Sequence, residues 1–234
     1  MIEHSKNSVR NLIHLFRSNA NPELAVQMSK YMKSEFPFFG IKSSERRAIS
    51  KNWMSEIQIS TEADLFKIVM ELWKLDKREF QYVACDLLKK YKKILTENAL
   101  KQLKYFIYTK SWWDTVDVLA SHPVGQIVLN FPPCSQTMYS WIRNKNMWVR
   151  RVAILHQLSF KSQTDEKKLF KFCEKCINEN EFFIRKAIGW ALRQYSYTNM
   201  EAVVKFVRKN EERLSPLSKR EALKGFKRLK NNIY

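Results

Sequence analysis

A short stretch from Ser111 to Asp117 contains the residues of this sequence that are best suited to chemistry. It places two adjacent tryptophans, Trp112 and Trp113, beside two carboxylates in a strongly basic chain. If the stretch is helical, Trp113 and Asp117 stand four residues apart and therefore lie on the same face. An aromatic ring next to a carboxylate suits the stabilisation of a positive charge, either on a ligand or in a transition state. The alternative is a core tryptophan beside a surface or helix-start carboxylate, and composition alone favours it.

The charge balance indicates a polyanionic partner. Lysine and arginine number 42 against 23 aspartate and glutamate residues, so the formal net charge is +19. A folded protein tolerates such self-repulsion more readily when nucleic acid is its partner. An anionic membrane surface is the alternative, but the sequence has no apolar run of about 18 residues and no signal-peptide pattern. We therefore predict a nucleic-acid-binding protein that is cytoplasmic, with no membrane attachment.

Glycine and cysteine usage disfavours nucleotide, metal and redox chemistry. The four glycines form no cluster, so the phosphate-binding and dinucleotide-binding fingerprints are absent. Cys173 and Cys176 form the only C-x-x-C pair, and neither a second pair nor spaced histidines complete a zinc site. We interpret the four cysteines as reduced structural thiols, with metal or redox chemistry as the less favoured alternative. The prediction is a protein without metal or cofactor.

The hydrophobic periodicity predicts an all-α fold. Asn21-Pro22 supplies an N-cap followed by a proline in the first turn, and Thr61 with Asp64 has the spacing of a capping box. No strand alternation is long enough to build a sheet, and no linker divides the chain, so residues 1–234 are predicted to form a single domain. The expected helices lie at about 2–19, 22–33, from 43, from 62, and at 78–93, 97–108, 111–121, 123–130, 135–144, 147–160, 165–178, 182–196, 200–210 and 216–229.

An internal repeat places polar residues on a shared face. The segment that starts at Arg151 is matched by the segment that starts at Arg185, 34 residues later, and the same step backwards from Arg151 reaches Asp117. A period of this size built from helix pairs indicates an α-solenoid of HEAT-like repeats, because the signature residues of tetratricopeptide repeats are absent. Equivalent positions of successive repeats stack along one surface. Asp117, Arg151 and either Arg185 or Lys186 are therefore expected to be neighbours in a row.

Several segments of the sequence resemble, in order, the AlkD-like DNA alkylation repair family, from about residue 20 to residue 228. The family consists of HEAT-like repeat proteins that act as DNA glycosylases on cationic N3- and N7-alkylated purines in double-stranded DNA, held on a concave surface. The segments that carry this resemblance are 36–42, 45–47, 78–82, 110–117, 148–151, 181–190 and 216–221.

The resemblance also implies roles for individual residues. Asp117 matches the catalytic carboxylate, and Trp113 and Trp190 match the aromatic walls beside the lesion. Arg151 matches a residue that holds the DNA phosphate there, and Tyr31 matches a DNA-contacting position less closely.

The implied chemistry is consistent with the residues that the sequence offers. Alkylation at N3 or N7 makes the purine cationic and a good leaving group, so no general acid is required, and the four histidines are scattered singly. A carboxylate such as Asp117 can stabilise the oxocarbenium-like sugar and hold a water molecule. We therefore predict a monofunctional and monomeric 3-methyladenine-type glycosylase for base excision repair, although a lysine nucleophile for a lyase step stays open.

Less specific explanations remain for each of these features. Asp117 and Arg151 could be a structural ion pair, since such pairs are commoner than active sites. We predict that Arg185 and Lys186 bind DNA, but they could instead belong to a solvated helix face. The main functional alternative is a non-catalytic basic HEAT-like scaffold that binds nucleic acid, and a protein-interaction scaffold is a third. Basic residues at helical spacing near the C-terminus suit phosphate contacts without base readout: Lys219, Arg220, Lys224, Lys227, Arg228 and Lys230.

Overall fold

The structure is a computed structural model that describes the backbone of residues 2–231 and the side chains of residues 8–225. Every regular element in this part of the chain is helical, which confirms the predicted all-α class. The chain divides into two compact units, Met1–Thr96 and Glu97–Tyr234. The single domain over residues 1–234 stays a prediction. The side chains of His4, Lys227, Arg228 and Lys230 lie outside the described residues.

The first unit packs five helices around aromatic and aliphatic side chains. Asn21 caps the second helix by accepting a hydrogen bond from the Leu24 backbone N–H at 3.0 Å, and Thr61 with Asp64 forms the complete capping box expected for the fourth. Trp53 and Trp73 are fully buried in this core. The helices are α1 (Ile2–Ser18), α2 (Pro22–Tyr31), α3 (Ser43–Glu56), α4 (Glu62–Lys74) and α5 (Arg78–Lys90).

Glu79 anchors the segment between α2 and α3. Its buried carboxylate accepts hydrogen bonds from the backbone N–H groups of Phe39, Gly40 and Ile41, at 2.9, 3.0 and 3.3 Å. Gly40 has φ +87, and a side chain there would clash with the Asn21 carbonyl oxygen. The motif that resembles the family at residues 36–42 is therefore a structural element of this unit.

The second unit contains four of the predicted site residues, Trp113, Asp117, Arg151 and Trp190, and the remaining helices. They are α6 (Ala99–Tyr108), α7 (Trp113–Leu119), α8 (Gly125–Asn130), α9 (Ser135–Trp141), α10 (Met147–Leu155), α11 (Glu166–Cys176), α12 (Phe182–Ser196), α13 (Met200–Lys209) and α14 (Pro216–Asn231).

Four helices of this unit recur at the predicted period. Helices α7, α10, α12 and α14 begin at residues 113, 147, 182 and 216, so successive starts are 34, 35 and 34 residues apart. Each packs on the next one, α7 on α10, α10 on α12 and α12 on α14. The spacing and the packing confirm a helical-repeat fold of the α-solenoid class.

Several helix boundaries differ from the prediction by two or more residues, and three of them concern α7, α10 and the turn after α7. Helix α7 begins at Trp113 because Trp112 is extended, with φ −157 and ψ 162. Residues 120–124 form a π-helical turn where a break was expected, since the wider turn accommodates Pro123, which lacks an N–H group and crowds the preceding turn. Helix α10 ends at Leu155, five residues early, and the side-chain amide of Gln157, just beyond it, bonds to the backbone of Asp165 in both directions.

Candidate active site

A buried ion pair joins two neighbouring helices of the repeat. Nε of Arg151 on α10 donates to Oδ1 of Asp117 on α7 at 2.7 Å, and Nη2 donates to Oδ2 at 2.8 Å. The arrangement is bidentate, the strongest geometry for a guanidinium and a carboxylate. Asp117 is 9% exposed and Arg151 4%. The repeat offset predicted that these two residues would be neighbours, and the structure confirms it.

Burial and the ion pair act on Asp117 in opposite directions. Burial is the larger influence and raises the pKa of the Asp117 carboxyl above its ordinary value of 3.8, while hydrogen bonding to and attraction by Arg151 lower it. The nearby charge of Asp114 raises the pKa further. The ionised carboxylate is therefore a high-energy anion that Arg151 helps to keep charged.

A third bond fixes the arginine to the next repeat. Nη1 of Arg151 donates to the backbone carbonyl of Phe183 at the start of α12, and the guanidinium lies 5.9 Å from the centroid of the Phe183 ring. Three helices thus meet at one side chain. Phe183 was not among the predicted site residues. Its place in the repeat, two residues before Arg185, is the feature of the sequence that could have indicated it.

Aromatic rings adjoin the ion pair. Trp113 is half-buried at the first position of α7, four residues before Asp117, as predicted. The preceding Trp112 packs against Trp148 and Phe183, with ring centroids at 5.7 and 5.2 Å. These contacts show that Trp112 and Trp148 are packing residues.

The two predicted DNA-binding residues of α12 turn to other partners than Asp117 and Arg151. Arg185 donates to the Glu179 carbonyl at 2.9 Å and to Oδ1 of Asn180 at 2.5 Å, and so bonds to the loop that precedes its own helix. Lys186 donates to a carboxylate on α14. Trp190 lies one turn after Lys186 and is half-buried.

Tyr31 belongs to the first unit, where it is the last residue of α2 and is 72% exposed. An aromatic ring with that exposure is accessible to a large ligand. Its predicted contact with DNA stays a prediction.

His156 lies in the second unit, with Asp117 and Arg151, but cannot serve as a general acid. It is fully buried, its Nδ1 lies 2.7 Å from the Ala153 carbonyl, and burial lowers its pKa to about 4. The ring is therefore neutral at physiological pH and packs against Phe160 and Phe172.

The cysteines are unsuited to redox or metal chemistry. All four are buried and none is in a disulfide, and burial raises the pKa of the Cys176 thiol to about 12. Within the described part of the chain, no group of three or more His, Cys, Asp or Glu side chains could hold a metal ion. Over the same residues, the helices are too short or too polar to cross a membrane.

Fold and site together define an all-α helical-repeat protein with a buried carboxylate–guanidinium pair beside aromatic residues. The family model described as DNA alkylation repair enzyme matches residues 12–226. This chain belongs to that family, which supports a role in the repair of alkylated DNA.

Two solved structures are similar to this chain. A predicted DNA alkylation repair enzyme from Enterococcus faecalis is 36% identical, with a TM-score of 0.80 over 88% of this chain and 95% of that one. A protein from Streptococcus mutans is 15% identical, with a TM-score of 0.58 over 85% and 97% of the two chains, and shows the fold alone. A comparison with curated proteins finds no match.

Proposed function

We propose that this protein is a monofunctional DNA glycosylase that hydrolyses the N-glycosidic bond of cationic N3- and N7-alkylated purines, such as 3-methyladenine and 7-methylguanine, in double-stranded DNA. The observation that carries the proposal is the buried bidentate pair of Asp117 and Arg151, with Trp113 one helical turn before Asp117 on α7, in a chain of the DNA alkylation repair enzyme family. This activity would begin base excision repair, and the monomeric state and cytoplasmic location stay predictions.

The reaction proposed for Asp117 needs an anion and a water molecule. As the bond between C1′ and the purine nitrogen breaks, its electron pair goes to the base, which leaves neutral, and positive charge develops on the sugar. The Asp117 carboxylate stabilises that charge and orients water, whose oxygen bonds to C1′ while its proton passes to the carboxylate and then to solvent. A leaving group that is already cationic makes the missing general acid unnecessary.

Arg151 is proposed to serve both the carboxylate and the DNA. Three of its five N–H groups are engaged by Asp117 and the Phe183 carbonyl. The remaining two are proposed to donate to a phosphate oxygen, which would join the catalytic anion to the DNA backbone. Trp113 and Trp190 are proposed to flank the lesion, where an aromatic face attracts a cation by about 0.5–2 kcal/mol.

The direct test is the release of free base. Purified protein is incubated with methylated duplex DNA, and released 3-methyladenine and 7-methylguanine are separated by chromatography. We expect both bases and an abasic strand that stays uncleaved. Absence of released base would contradict the proposal, and the binding of the same duplex without release would favour the non-catalytic scaffold. Trapping of a covalent adduct with borohydride would contradict the monofunctional assignment.

The raised pKa of Asp117 predicts the pH dependence of this activity. Catalysis needs the ionised carboxylate, so the rate falls as the pH drops through the pKa of Asp117, and that acid limb lies above the ordinary value of 3.8. The measurement is base release against pH, corrected for spontaneous loss of base without protein. A rate that stays constant down to pH 3.8 would contradict the assignment of Asp117.

A further inference from the structure

A second charged cluster surrounds Glu221 on α14. Its carboxylate is buried, 5% exposed, yet it meets three cations from two helices. Oε1 accepts from Lys186 Nζ at 3.0 Å and from Lys224 Nζ at 2.6 Å, and Oε2 accepts from Arg193 Nη1 at 3.2 Å. We call these four residues the Glu221 cluster.

The cluster carries more positive charge than its own neutrality requires. Burial raises the pKa of Glu221, but the hydrogen bonds and charges of Lys224 and Lys186 outweigh it, so the pKa lies below the ordinary value of 4.5 and the carboxylate stays ionised. Three cations against one carboxylate leave a surplus of two positive charges. The side chains of Lys186, Arg193 and Lys224 are 38%, 28% and 50% exposed, so the surplus faces solvent.

The cluster lies beside Trp190, one of the predicted site residues. Lys186, Trp190 and Arg193 follow each other on α12 at intervals of four and three residues, and therefore share one face of the helix. Gly189 lets α14 approach that face, because a Cβ at Gly189 would lie 2.5 Å from Cβ of Glu221. The two cations of α12 thus lie on either side of Trp190 along the helix.

We propose that Lys186, Arg193 and Lys224 form a binding site for DNA backbone phosphates beside Trp190, and that Glu221 is the positioning residue that holds the three cations together. A single cation would suffice for a structural bridge between α12 and α14, whereas three partly exposed cations converging on one buried anion suit a ligand with repeated negative charge. The placement next to a lesion rests on the role proposed for Trp190, but the phosphate site itself does not depend on catalysis.

The test measures how DNA affinity depends on salt, with an undamaged duplex so that base release plays no part. Each phosphate neutralised by a protein cation contributes about 0.9 to the slope of log K against log salt concentration. The triple variant K186A/R193A/K224A should therefore make the salt dependence shallower, with a slope smaller in magnitude by about 2–3, and should weaken binding at low salt by about tenfold or more.

A matched control separates this site from the general field of a basic protein. The variant K167A/K175A/K205A removes three exposed lysines from α11 and α13 and changes the net charge equally. It should leave most of the slope intact. The phosphate site is refuted if the two triple variants have the same slope, or if K186A/R193A/K224A keeps the slope of the wild type.

The role of Glu221 is tested by the sign of one change. Glu221→Gln keeps the size of the side chain and adds one positive charge to the protein, so charge counting alone predicts tighter binding to DNA. If Glu221 positions the cations, binding becomes weaker instead, because the cations lose their common partner. If Glu221→Gln shows a cooperative thermal unfolding transition and binds DNA more tightly, the positioning role is wrong. If the variant does not fold, the role of Glu221 is structural instead.

If base release fails while the salt slopes behave as expected, the phosphate site stands and the glycosylase proposal falls. If base release succeeds while both triple variants behave alike, the reverse holds. The two proposals therefore have separate outcomes.

Discussion

Asp117→Asn is expected to reduce the single-turnover rate of base release by at least about 10²–10³-fold, the loss found when one electrostatic stabiliser of a transition state is removed. Asparagine keeps the size of the side chain and can still accept a hydrogen bond from Arg151, but it offers no negative charge to the sugar cation. The effect should fall on the rate of the chemical step, with little change in affinity for undamaged DNA. The measurement is release of 7-methylguanine under enzyme excess.

The matched control for this variant is Asp114→Asn. Asp114 lies three residues earlier in α7, is half-buried, and also loses one negative charge when it becomes asparagine. Because its charge raises the pKa of Asp117, its removal should shift the acid limb of the pH profile to lower pH and leave the rate at neutral pH within a few-fold. Equal losses in both variants would contradict a specific role for Asp117.

Arg151→Met is expected to destabilise the protein by about 3–5 kcal/mol, because it leaves the Asp117 carboxylate buried without its partner. It also removes the hydrogen bonds and the charge that lower the pKa of Asp117, so the carboxyl becomes protonated more readily. The rate of base release should therefore fall as well. The free energy of unfolding is measured by denaturant titration, and base release is measured at a temperature where the variant is folded.

Two further variants show whether the pair acts as a unit. The double variant D117N/R151M should recover much of the lost stability, since no buried charge is left unpaired, but it should release no base. Arg150→Met, on the same helix, removes a bidentate pair with Glu179 that is more exposed, and should cost less stability. If R151M and R150M lose equal stability, the burial of Asp117 has no special energetic weight.

Local signals in the sequence account for much of the fold. The N-caps at Asn21 and Thr61 begin helices where the side-chain chemistry predicts, because a cap satisfies backbone N–H groups within a few residues. The offset between Asp117 and Arg151 equals one repeat, so stacking of repeats brings them together without any further information. These features depend on sequence neighbours or on the period, and both can be read directly from the chain.

The remaining features depend on packing that no local pattern encodes. The repeat frame leads from Arg151 to Arg185, but Arg185 bonds to its own loop and the Phe183 carbonyl takes its place beside Arg151. Which of two positions, Phe183 or Arg185, meets the neighbouring helix depends on the rotation of α12 about its axis. Likewise, the sequence shows basic residues at helical spacing near the C-terminus but does not indicate that Glu221 among them is buried. The burial of Glu221 arises only when α14 packs against α12 at Gly189.

We propose that this protein acts on a purine because the purine is cationic, and a matched pair of substrates tests this proposal most directly. One duplex carries 7-methylguanine, and the other carries 7-methyl-7-deazaguanine, which has the same shape and no positive charge. Single-turnover release of the modified base is measured for both with the same protein. We predict release of 7-methylguanine and none of the deaza base, with similar binding of both duplexes. Release of neither base, or release of both at similar rates, would contradict the account.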